Sequence, residues 1–403
     1  MILRVDKLKS LSLLISGQLF TSRTETLEDF FKDRVSSLGI IGITSPYASP
    51  GSARRRYYEN GRLIYEGKIR NIYFSSRKWY SDFLLVLVFG VYFFEILKAA
   101  YSFKKKFDIF IGVACFSTLL GLILRRLGLV DKIIYYSIDY YPIPRKLSFN
   151  TVIVKAFRII DKFCARKVDL IWHISPRIPE ARDKFSKLKP NCYKHIVVPL
   201  TYTKRLLRFK SLEEIERYTI GFVGTLSENQ GLQLLIRAMP EIAKRIPQIK
   251  VKIIGKGPYK ETLEKLVRRY GVERYFEFYG FIKEEEDVLE ILSHCTVGIA
   301  VWTSKEDDNI LYADPGKPKL YAFCGLPIII TTGAIIAEEI VEREAGVSIN
   351  YESQELINAI VRILNDDELI KRYKKNAFAL AKSYTTENVF VRIMDDSLKI
   401  LFN

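Results

Sequence analysis

Three glycine-bearing turns, each between a short apolar run and an amphipathic run, lie within residues 217–326. In the first, IGFV ends at Gly224; in the second, VKII ends at Gly255; the third reads DPGKPKLYAF and contains Lys317. Short apolar runs that alternate with helical periodicity predict βαβ units and a parallel sheet. Glycine at a strand end lets backbone N–H groups approach a phosphate near a helix N-terminus. This stretch therefore predicts a doubly wound domain that binds a phosphorylated ligand.

The order of these turns resembles the C-terminal half of the group 1 glycosyltransferases, which have the GT-B fold. The motifs that carry the resemblance are GFVGTL, IIGKGP, FYGFI, and DPGK followed by AFCGLPIIIT. The resemblance implies an α/β fold of two Rossmann-like, doubly wound domains that face a cleft, with a C-terminal helix that crosses back to the N-terminal domain. It also implies a hexosyltransferase-like enzyme that uses a nucleotide-sugar and retains the anomeric configuration.

The length of 403 residues predicts two domains. A polar and charged stretch near residues 201–217 is the best candidate for the linker. We predict an acceptor-binding domain at 1–205, a nucleotide-sugar-binding domain at 206–385 and a returning helix at 386–403.

Lys317 is the strongest single candidate for the donor site, because the resemblance places it on the donor phosphates. A lysine there would stabilise the charge that grows on the nucleotide as the glycosidic bond breaks; the alternative is an exposed surface lysine. Asp314 would orient Lys317 or bind the sugar. The glycines and Thr225 would shape the diphosphate and nucleoside contacts, and Lys319 would add positive charge. The predicted donor set is Gly17, Gly224, Thr225, Gly255, Gly257, Gly280, Phe281, Ile282, Asp314, Lys317 and Lys319.

Several positions depart from the family pattern. The family commonly has an arginine after the first glycine and a lysine a few residues later, where this chain has Thr225 and about Gln230. It also has two glutamates eight positions apart, which would fall near Tyr312 and at Leu320. These departures indicate either a changed donor mode or a copy without activity, and they leave retention or inversion of configuration open.

In the N-terminal half, a β-branched and aromatic run ends just before Asp139. A carboxylate at the carboxyl end of a central strand points to the ligand side of a parallel sheet. The resemblance implies a catalytic or acceptor residue there, so Asp139 is predicted to act as general base or electrostatic partner. The alternative is a turn aspartate before Pro142. His173 alternates within a strand and is predicted to be a core residue.

The excess positive charge lies entirely in the first half. Residues 1–205 hold 36 lysines and arginines against 16 acidic residues, whereas residues 206–403 hold 27 against 30. This asymmetry predicts an acidic partner, such as an anionic membrane or a phosphorylated lipid carrier. Nucleic acid is a third candidate, but it is not expected because the sequence contains no recognised nucleic-acid-binding module. A merely solvated basic surface is the alternative. Arg54, Arg55 and Arg56 lie in a predicted loop and would contact an anionic acceptor or lipid headgroups.

Two apolar runs, at 83–94 and 109–124, are shorter than the roughly 20 residues that span a bilayer as a helix. No transmembrane helix is therefore expected, and the first run is either an interfacial helix or a helix packed on the sheet. The five cysteines and three histidines are scattered, which predicts neither a disulfide framework nor a metal site. These features favour a cytoplasmic protein, peripheral at the cytoplasmic face of the membrane.

The predicted function is transfer of a sugar from a nucleotide-sugar to a lipid-linked or polysaccharide acceptor, with no metal ion and no cofactor. A GT-B sugar-nucleotide epimerase is one alternative, because it needs the same donor half but no basic acceptor face. A non-catalytic GT-B scaffold or a nucleic-acid-binding protein is another, because it would explain the basic half and the missing motif residues together.

Overall fold

The computed structural model describes residues 5–18, 22–43, 53–70, 81–140, 149–303 and 309–402. The chain falls into two compact units. Met1–Pro199 together with Val389–Asn403 form the first unit, and Leu200–Asn388 form the second. These divisions lie a few residues from the predicted boundaries at 205/206 and 385/386.

The first unit contains an eight-stranded sheet. Its strands are β1 (Ser12–Gln18), β2 (Ser37–Ile43), β3 (Arg54–Glu59), β4 (Arg62–Lys68), β5 (Phe107–Val113), β6 (Val130–Ser137), β7 (Leu170–His173) and β8 (His195–Val197). Their order across the sheet is β4-β3-β2-β1-β5-β6-β7-β8. Strands β3 and β4 form an antiparallel hairpin at one edge, and the other pairs are parallel.

Helices connect the parallel strands of this sheet. They are α2 (Ser22–Phe31), α3 (Ser81–Ser102), α4 (Ala114–Arg126), α5 (Phe149–Lys167) and α6 (Ile178–Ser186), and the short helix α1 (Val5–Leu8) precedes β1. Buried residues of α3, α4 and α5 share one core with β5, β6 and β7, so these three helices cover the same face of the sheet. Where α3 is described, Tyr92 and Ile96 are buried in this core, as expected of a helix packed on the sheet. In the described part of the chain, no helix has both the length and the apolar character needed to cross a bilayer.

Ser175 and Pro176 precede α6 and do not cap it. The helix begins at Ile178, and Arg177 occupies the cap position without a side-chain hydrogen bond. The Ser175 hydroxyl instead accepts a hydrogen bond from the Arg177 N–H at 3.3 Å. A serine that bonds two residues ahead forms a local turn that competes with the helical cap.

The second unit contains a six-stranded sheet in which every pair is parallel. Its strands are β9 (Thr219–Val223), β10 (Lys250–Ile254), β11 (Phe276–Gly280), β12 (Val297–Ala300), β13 (Ile328–Thr331) and β14 (Gly346–Ile349). Their order is β11-β10-β9-β12-β13-β14. The chain leaves β9 in one direction and returns through β12 in the other, so β9 and β12 define a topological switch point, where open α/β sheets bind ligands.

The helices of the second unit cover both faces of its sheet. They are α7 (Leu232–Arg245), α8 (Lys260–Arg269), α9 (Glu285–Ser293), α10 (Gly316–Phe323), α11 (Ile336–Glu342), α12 (Ser353–Leu364) and α13 (Asp367–Ser383). The parallel sheets with their connecting helices confirm the predicted α/β, doubly wound class.

The final helix, α14 (Thr386–Phe402), runs from the second unit into the first. Its Phe390 ring lies 5.3 Å from the ring of Phe30 and 5.8 Å from that of Trp172. The Trp172 indole N–H donates to the Ser397 hydroxyl at 3.0 Å. The end of the chain therefore completes the core of the N-terminal unit.

Candidate functional site

A cavity of about 510 Å³ opens at the carboxyl ends of β9, β10 and β11. Six residues of the predicted donor set line it: Gly224, Thr225, Gly255, Gly257, Phe281 and Ile282. The structure thus brings together turns that are far apart in the sequence, because neighbouring parallel strands end at the same edge of a sheet. Gly280, the last residue of β11, directly precedes the lining residue Phe281.

The glycines of this cavity are required by the path of the backbone. Gly224 and Gly255 have φ angles of 145° and 142°, which side chains rarely tolerate. A Cβ atom added to Gly255 would lie 1.9 Å from the Gly224 carbonyl oxygen. Two strand ends therefore approach each other as closely as their backbones allow, and this approach forms the floor of the cavity.

The sequence predicts that the Gly224 N–H is available to a donor phosphate, and this prediction is wrong. That group donates to the Ile254 carbonyl at 3.0 Å, and the Gly255 N–H donates to the Gly280 carbonyl at 2.7 Å. The ladder of the parallel sheet continues past the strands and uses these donors. Helix α7 also begins only at Leu232, after a 3₁₀ turn, so no helix N-terminus directly follows the first glycine turn.

Lys317 stands in the first turn of α10, and its side chain reaches the back of the Gly224 turn. A Cβ atom added to Gly224 would lie 3.4 Å from the Lys317 Cδ. The ammonium donates to the Gln230 side-chain oxygen and lies 4.3 Å and 4.9 Å from the ring centres of Phe222 and Trp302. Although the residue keeps some contact with solvent, its ammonium is enclosed, and burial lowers the pKa of Lys317 to about 7.

No aspartate or glutamate of the described chain forms an ion pair with Lys317. Its ammonium is held by one amide oxygen and by two aromatic faces, which stabilise a cation but do not neutralise it. A buried cation without a counter-charge is destabilised, so an anion that reaches it gains a strong electrostatic partner. Gln230 is the position where the family commonly has a lysine, and here its side chain holds Lys317 instead.

Asp314 and Lys319 do not contribute to this site, which corrects two of the predicted donor contacts. The Lys319 ammonium is buried; it donates to the Asp314 carboxylate at 2.5 Å and to the Leu200 carbonyl at 2.9 Å. The same carboxylate accepts the Leu200 N–H at 2.6 Å. Lys317 and Lys319 are two residues apart on a helix, so their side chains point to opposite sides. The Asp314–Lys319 pair anchors the segment at Leu200 to α10.

Lys256 and Trp302 belong to the surroundings of the cavity and were missed in the sequence. The Lys256 ammonium lies 4.3 Å from the ring centre of Phe281, and both residues line the cavity. Lys256 could have been identified from the sequence, because it stands between the predicted donor-site residues Gly255 and Gly257. No local signal marks Trp302, which follows β12 and reaches Lys317 only through the tertiary fold.

Two predicted residues lie in the first unit. Asp139 is half-buried, two residues beyond the end of β6 at the carboxyl edge of the sheet. Gly17 lies in β1, where an added Cβ atom would be 2.7 Å from the Val113 Cβ and 2.9 Å from the Thr24 hydroxyl. Close packing of β1 against its neighbours therefore accounts for this glycine.

Arg54, Arg55 and Arg56 form strand β3, so their prediction as a loop is wrong. Arg56 lies opposite Glu66 in the β3–β4 register, and its guanidinium contacts that carboxylate at 2.9 Å and Glu28 at 3.0 Å. Arg54 also pairs with Glu66, at 3.2 Å. Arg55 donates to Ser102 and Tyr65 hydroxyl groups at 2.7 Å each. Each of the three guanidinium groups therefore has internal partners, which are carboxylates for Arg54 and Arg56 and hydroxyl groups for Arg55.

His173 is fully buried, which confirms its prediction as a core residue. Its Nε2 lies 3.3 Å from a nitrogen of Arg182, and the Arg182 guanidinium donates to Asp161 at 2.6 Å and 2.8 Å. Burial, and then the nearby Arg182 charge, hold the pKa of His173 well below its usual value. The imidazole is therefore neutral at physiological pH and serves a buried structural network.

Residues 217–366 match the family described as Glycosyl transferases group 1. This matched region lies within the second unit. The resemblance seen in the motifs is thereby confirmed for this unit, and its matched region includes the cavity and Lys317.

Solved structures show the same fold over nearly the whole chain. HepE from Anabaena, in complex with UDP, aligns with 97% of this chain and 100% of its own at a TM-score of 0.66 and 15% identity. Sucrose-phosphate synthase from Thermosynechococcus elongatus aligns with 97% of this chain and 99% of its own at a TM-score of 0.70 and 14% identity. These likenesses show the GT-B fold and do not by themselves assign a substrate.

Curated relatives match shorter stretches. A GDP-mannose-dependent α-(1-6)-phosphatidylinositol monomannoside mannosyltransferase of Mycolicibacterium smegmatis is 36% identical over 77 residues, or 18% of this chain. The α-monoglucosyldiacylglycerol synthase of Acholeplasma laidlawii is 22% identical over 177 residues, or 43% of this chain. The chain spans 20% of the length of the first relative and 41% of the second.

Proposed function

We propose that the chain is a glycosyltransferase that moves a sugar from a nucleotide-sugar donor to a lipid-linked or polysaccharide acceptor. The observation that carries the proposal is the enclosed ammonium of Lys317, which lies against the Gly224 turn of a cavity in the region that matches the group 1 glycosyltransferases. We further propose that the reaction retains the anomeric configuration, as the family resemblance implies.

The cavity suits the parts of a nucleotide-sugar. Its floor is narrow glycine backbone, and Lys317, which does not itself line the cavity, lies against the Gly224 turn. Its far wall is formed by Phe281, Ile282 and the stem of Lys256, an apolar surface with one cation that suits the nucleoside. The volume of about 510 Å³ lies within the usual range of small-molecule sites.

Lys317 would act on the leaving group. When the glycosidic bond to the nucleotide breaks, negative charge grows on the departing diphosphate oxygen, and a fixed cation stabilises that charge. Because burial lowers the pKa of Lys317 to about 7, the amine is only partly protonated at neutral pH, and a bound diphosphate would raise this pKa. Such electrostatic stabilisation by a side chain is the basis for proposing a metal-independent reaction.

The acceptor is proposed from chemistry in the first half and from the named relatives. Residues 1–205 carry the whole excess of positive charge, which suits a phosphorylated lipid or a membrane surface. By name, the first curated relative is a phosphatidylinositol monomannoside mannosyltransferase, and the second makes α-monoglucosyldiacylglycerol. We propose peripheral attachment at the cytoplasmic face of the membrane, with Asp139 as general base or electrostatic partner.

Thermal unfolding with UDP, GDP, UDP-glucose and GDP-mannose tests the donor site. We expect one base to raise the melting temperature of the wild type and to have little effect on Lys317→Ala. A product assay with and without a lipid acceptor then separates transfer from epimerisation, which needs no acceptor. If no nucleotide stabilises the wild type, the proposed donor site is wrong.

A further inference from the structure

Helix α5 carries apolar side chains on two opposite sides. Its inner side packs on the sheet of the first unit and buries Cys164 and Ala165. Its outer side leaves Val152, Ile159 and Phe163 exposed by 60%, 70% and 46%. These three residues recur at spacings of seven and four, so they form one stripe about 16 Å long on the helix. A helix that packs on one side only would carry polar residues there.

Cations border this apolar stripe. Lys155, Arg166 and Lys167 are exposed, and their positions on the helical repeat place them on either side of the stripe. The single acidic residue in the sequence of α5, Asp161, is fully buried and paired with Arg182. The outer face of α5, defined here as the stripe with these three cations, therefore carries apolar and positive groups and no carboxylate.

A polar cavity of about 470 Å³ adjoins the C-terminal end of this face. Arg166 lines it together with Lys132 and Lys194, and among the described residues none of these three cations forms an ion pair. Its one carboxylate, Asp169, is held by Arg125 at 2.9 Å. The cavity therefore offers uncompensated positive charge to an anionic group that lies beside the stripe.

Another helix on this face of the sheet, separated from α5 by α4, also exposes aromatic side chains. Helix α3 covers the same face of the sheet as α5, and its Phe94 and Tyr101 are each 72% exposed. They are seven residues apart and thus lie on one side of α3, with the exposed Lys98 between them. Exposed aromatic rings and lysines also suit the boundary between headgroups and acyl chains.

We propose that the outer face of α5 docks on an anionic lipid bilayer. Its stripe would enter the headgroup region, while Lys155, Arg166 and Lys167 contact lipid phosphates. A helix with apolar side chains on one line and cations at its borders has the pattern of an interfacial helix. The basic first half of the chain supplies the matching long-range attraction. That this surface brings a lipid acceptor to the enzyme rests on the proposed function; the docking itself does not.

Co-sedimentation of the full chain with vesicles tests the proposal. We expect binding to vesicles of phosphatidylglycerol and phosphatidylcholine, and much weaker binding to phosphatidylcholine alone. Ile159→Ser with Phe163→Ser should weaken binding to the anionic vesicles by more than about tenfold. Arg166→Gln with Lys167→Gln should weaken it by about fivefold per charge at low salt and by less at high salt.

Matched substitutions in the second unit control for general changes of hydrophobicity and charge. Val341→Ser with Tyr270→Ser removes two exposed apolar side chains, and Arg268→Gln with Arg269→Gln removes two exposed cations from the last turn of α8. Both controls should bind vesicles as the wild type does. Equal losses in the control and test variants, or no loss in either, would overturn the proposal.

A second readout places the face itself at the lipid. In a Cys192→Ser background, Ile159→Cys labelled with an environment-sensitive dye should shift to the blue on anionic vesicles, because the label enters an apolar region. An unchanged spectrum, or a dimer that the Ile159→Ser and Phe163→Ser variant converts to a monomer, would assign the face to another occupant. Nucleotides should stabilise all these variants as they stabilise the wild type, because the substitutions lie outside the donor site. If nucleotides fail to stabilise the wild type while vesicle binding behaves as expected, the proposed function is refuted and the docking proposal is not.

Discussion

Replacement of Lys317 by methionine should stabilise the protein and abolish its donor binding. The pKa of Lys317 falls from 10.5 to about 7 because burial disfavours the charged amine. Each unit of pKa difference corresponds to about 1.4 kcal/mol, so the full shift represents roughly 5 kcal/mol against folding when the amine must be charged. Loss of the Gln230 hydrogen bond and the remaining solvent contact reduce the net gain to about 2–3 kcal/mol.

The pH dependence of this effect has a defined sign. Below pH 7 the amine is protonated in both the folded and the unfolded chain, and the folded state bears the whole penalty. Between pH 7 and 10.5 the unfolded chain binds the proton and the folded chain does not, so wild-type stability rises with pH because of this residue. Lys317→Met removes that rise, and its stabilising effect should shrink as the pH approaches 10.5.

Urea unfolding of the wild type, Lys317→Met and the exposed-surface control Lys265→Met at pH 6.5 and 9 would measure these differences. A gain of 2–3 kcal/mol corresponds to a rise in melting temperature of about 4–12 °C for a unit of this size. Nucleotide binding by the wild type at pH 7.5 should take up protons, seen by calorimetry in buffers of different ionisation enthalpy. A less stable Lys317→Met, or one that still binds nucleotide with wild-type affinity, would refute the reasoning.

Three further changes test other parts of the second unit. Asp314→Asn leaves the buried Lys319 ammonium without its carboxylate and should lower the free energy of unfolding by about 3 kcal/mol. Asp314→Asn combined with Lys319→Met should cost less than the sum of the two single changes. Additive costs in chemical unfolding would contradict a coupled pair. Gly255→Ala should abolish nucleotide stabilisation and lower the free energy of unfolding by more than about 2 kcal/mol. The added Cβ would lie 1.9 Å from the Gly224 carbonyl oxygen, and the φ angle of this residue is 142°. Nucleotide binding with wild-type affinity by this variant would contradict the proposed cavity floor. Lys374→Met should raise the free energy of unfolding at pH 7 by about 1–2 kcal/mol. Burial lowers the pKa of this lysine to about 8, and its ammonium lacks a hydrogen-bond partner in the described part of the chain. The gain should fade above pH 10, which unfolding at both pH values would show.

The parallel sheet of the second unit was predictable from short-range patterns. Apolar runs, glycines and helical periodicity alternate at intervals that only βαβ units satisfy, and the carboxyl ends of such strands converge. The first two glycine turns and Phe281 therefore meet at one cavity as expected, whereas the third turn does not line it. Lys317 was also in reach of the sequence, because the resemblance placed it at the start of α10, close to the first turn.

The partners of the charged side chains were not predictable. Asp314 and Lys319 pair with each other and with Leu200, more than one hundred residues away in the chain. The arginines at 54–56 read as a loop because glycine, proline and serine precede them, but β3 pairs with β4 and aligns Arg56 with Glu66. The charges of Lys319, Arg54 and Arg56 looked available to a ligand, but each is paired with a carboxylate that the fold brings near.

By itself, the sequence determined the class of fold, the positions of the glycine turns and the sign of the charge on each half, because these depend on local pattern and composition. Only the tertiary structure decided that Lys317 forms no ion pair with a described carboxylate and which side of α5 remains exposed. A helical repeat with two apolar stripes does not specify which one packs on the sheet. Ion pairing and exposure are set by contacts between distant segments. Those contacts leave Lys317 without a carboxylate partner in the described part of the chain, and they leave Val152, Ile159 and Phe163 of α5 exposed.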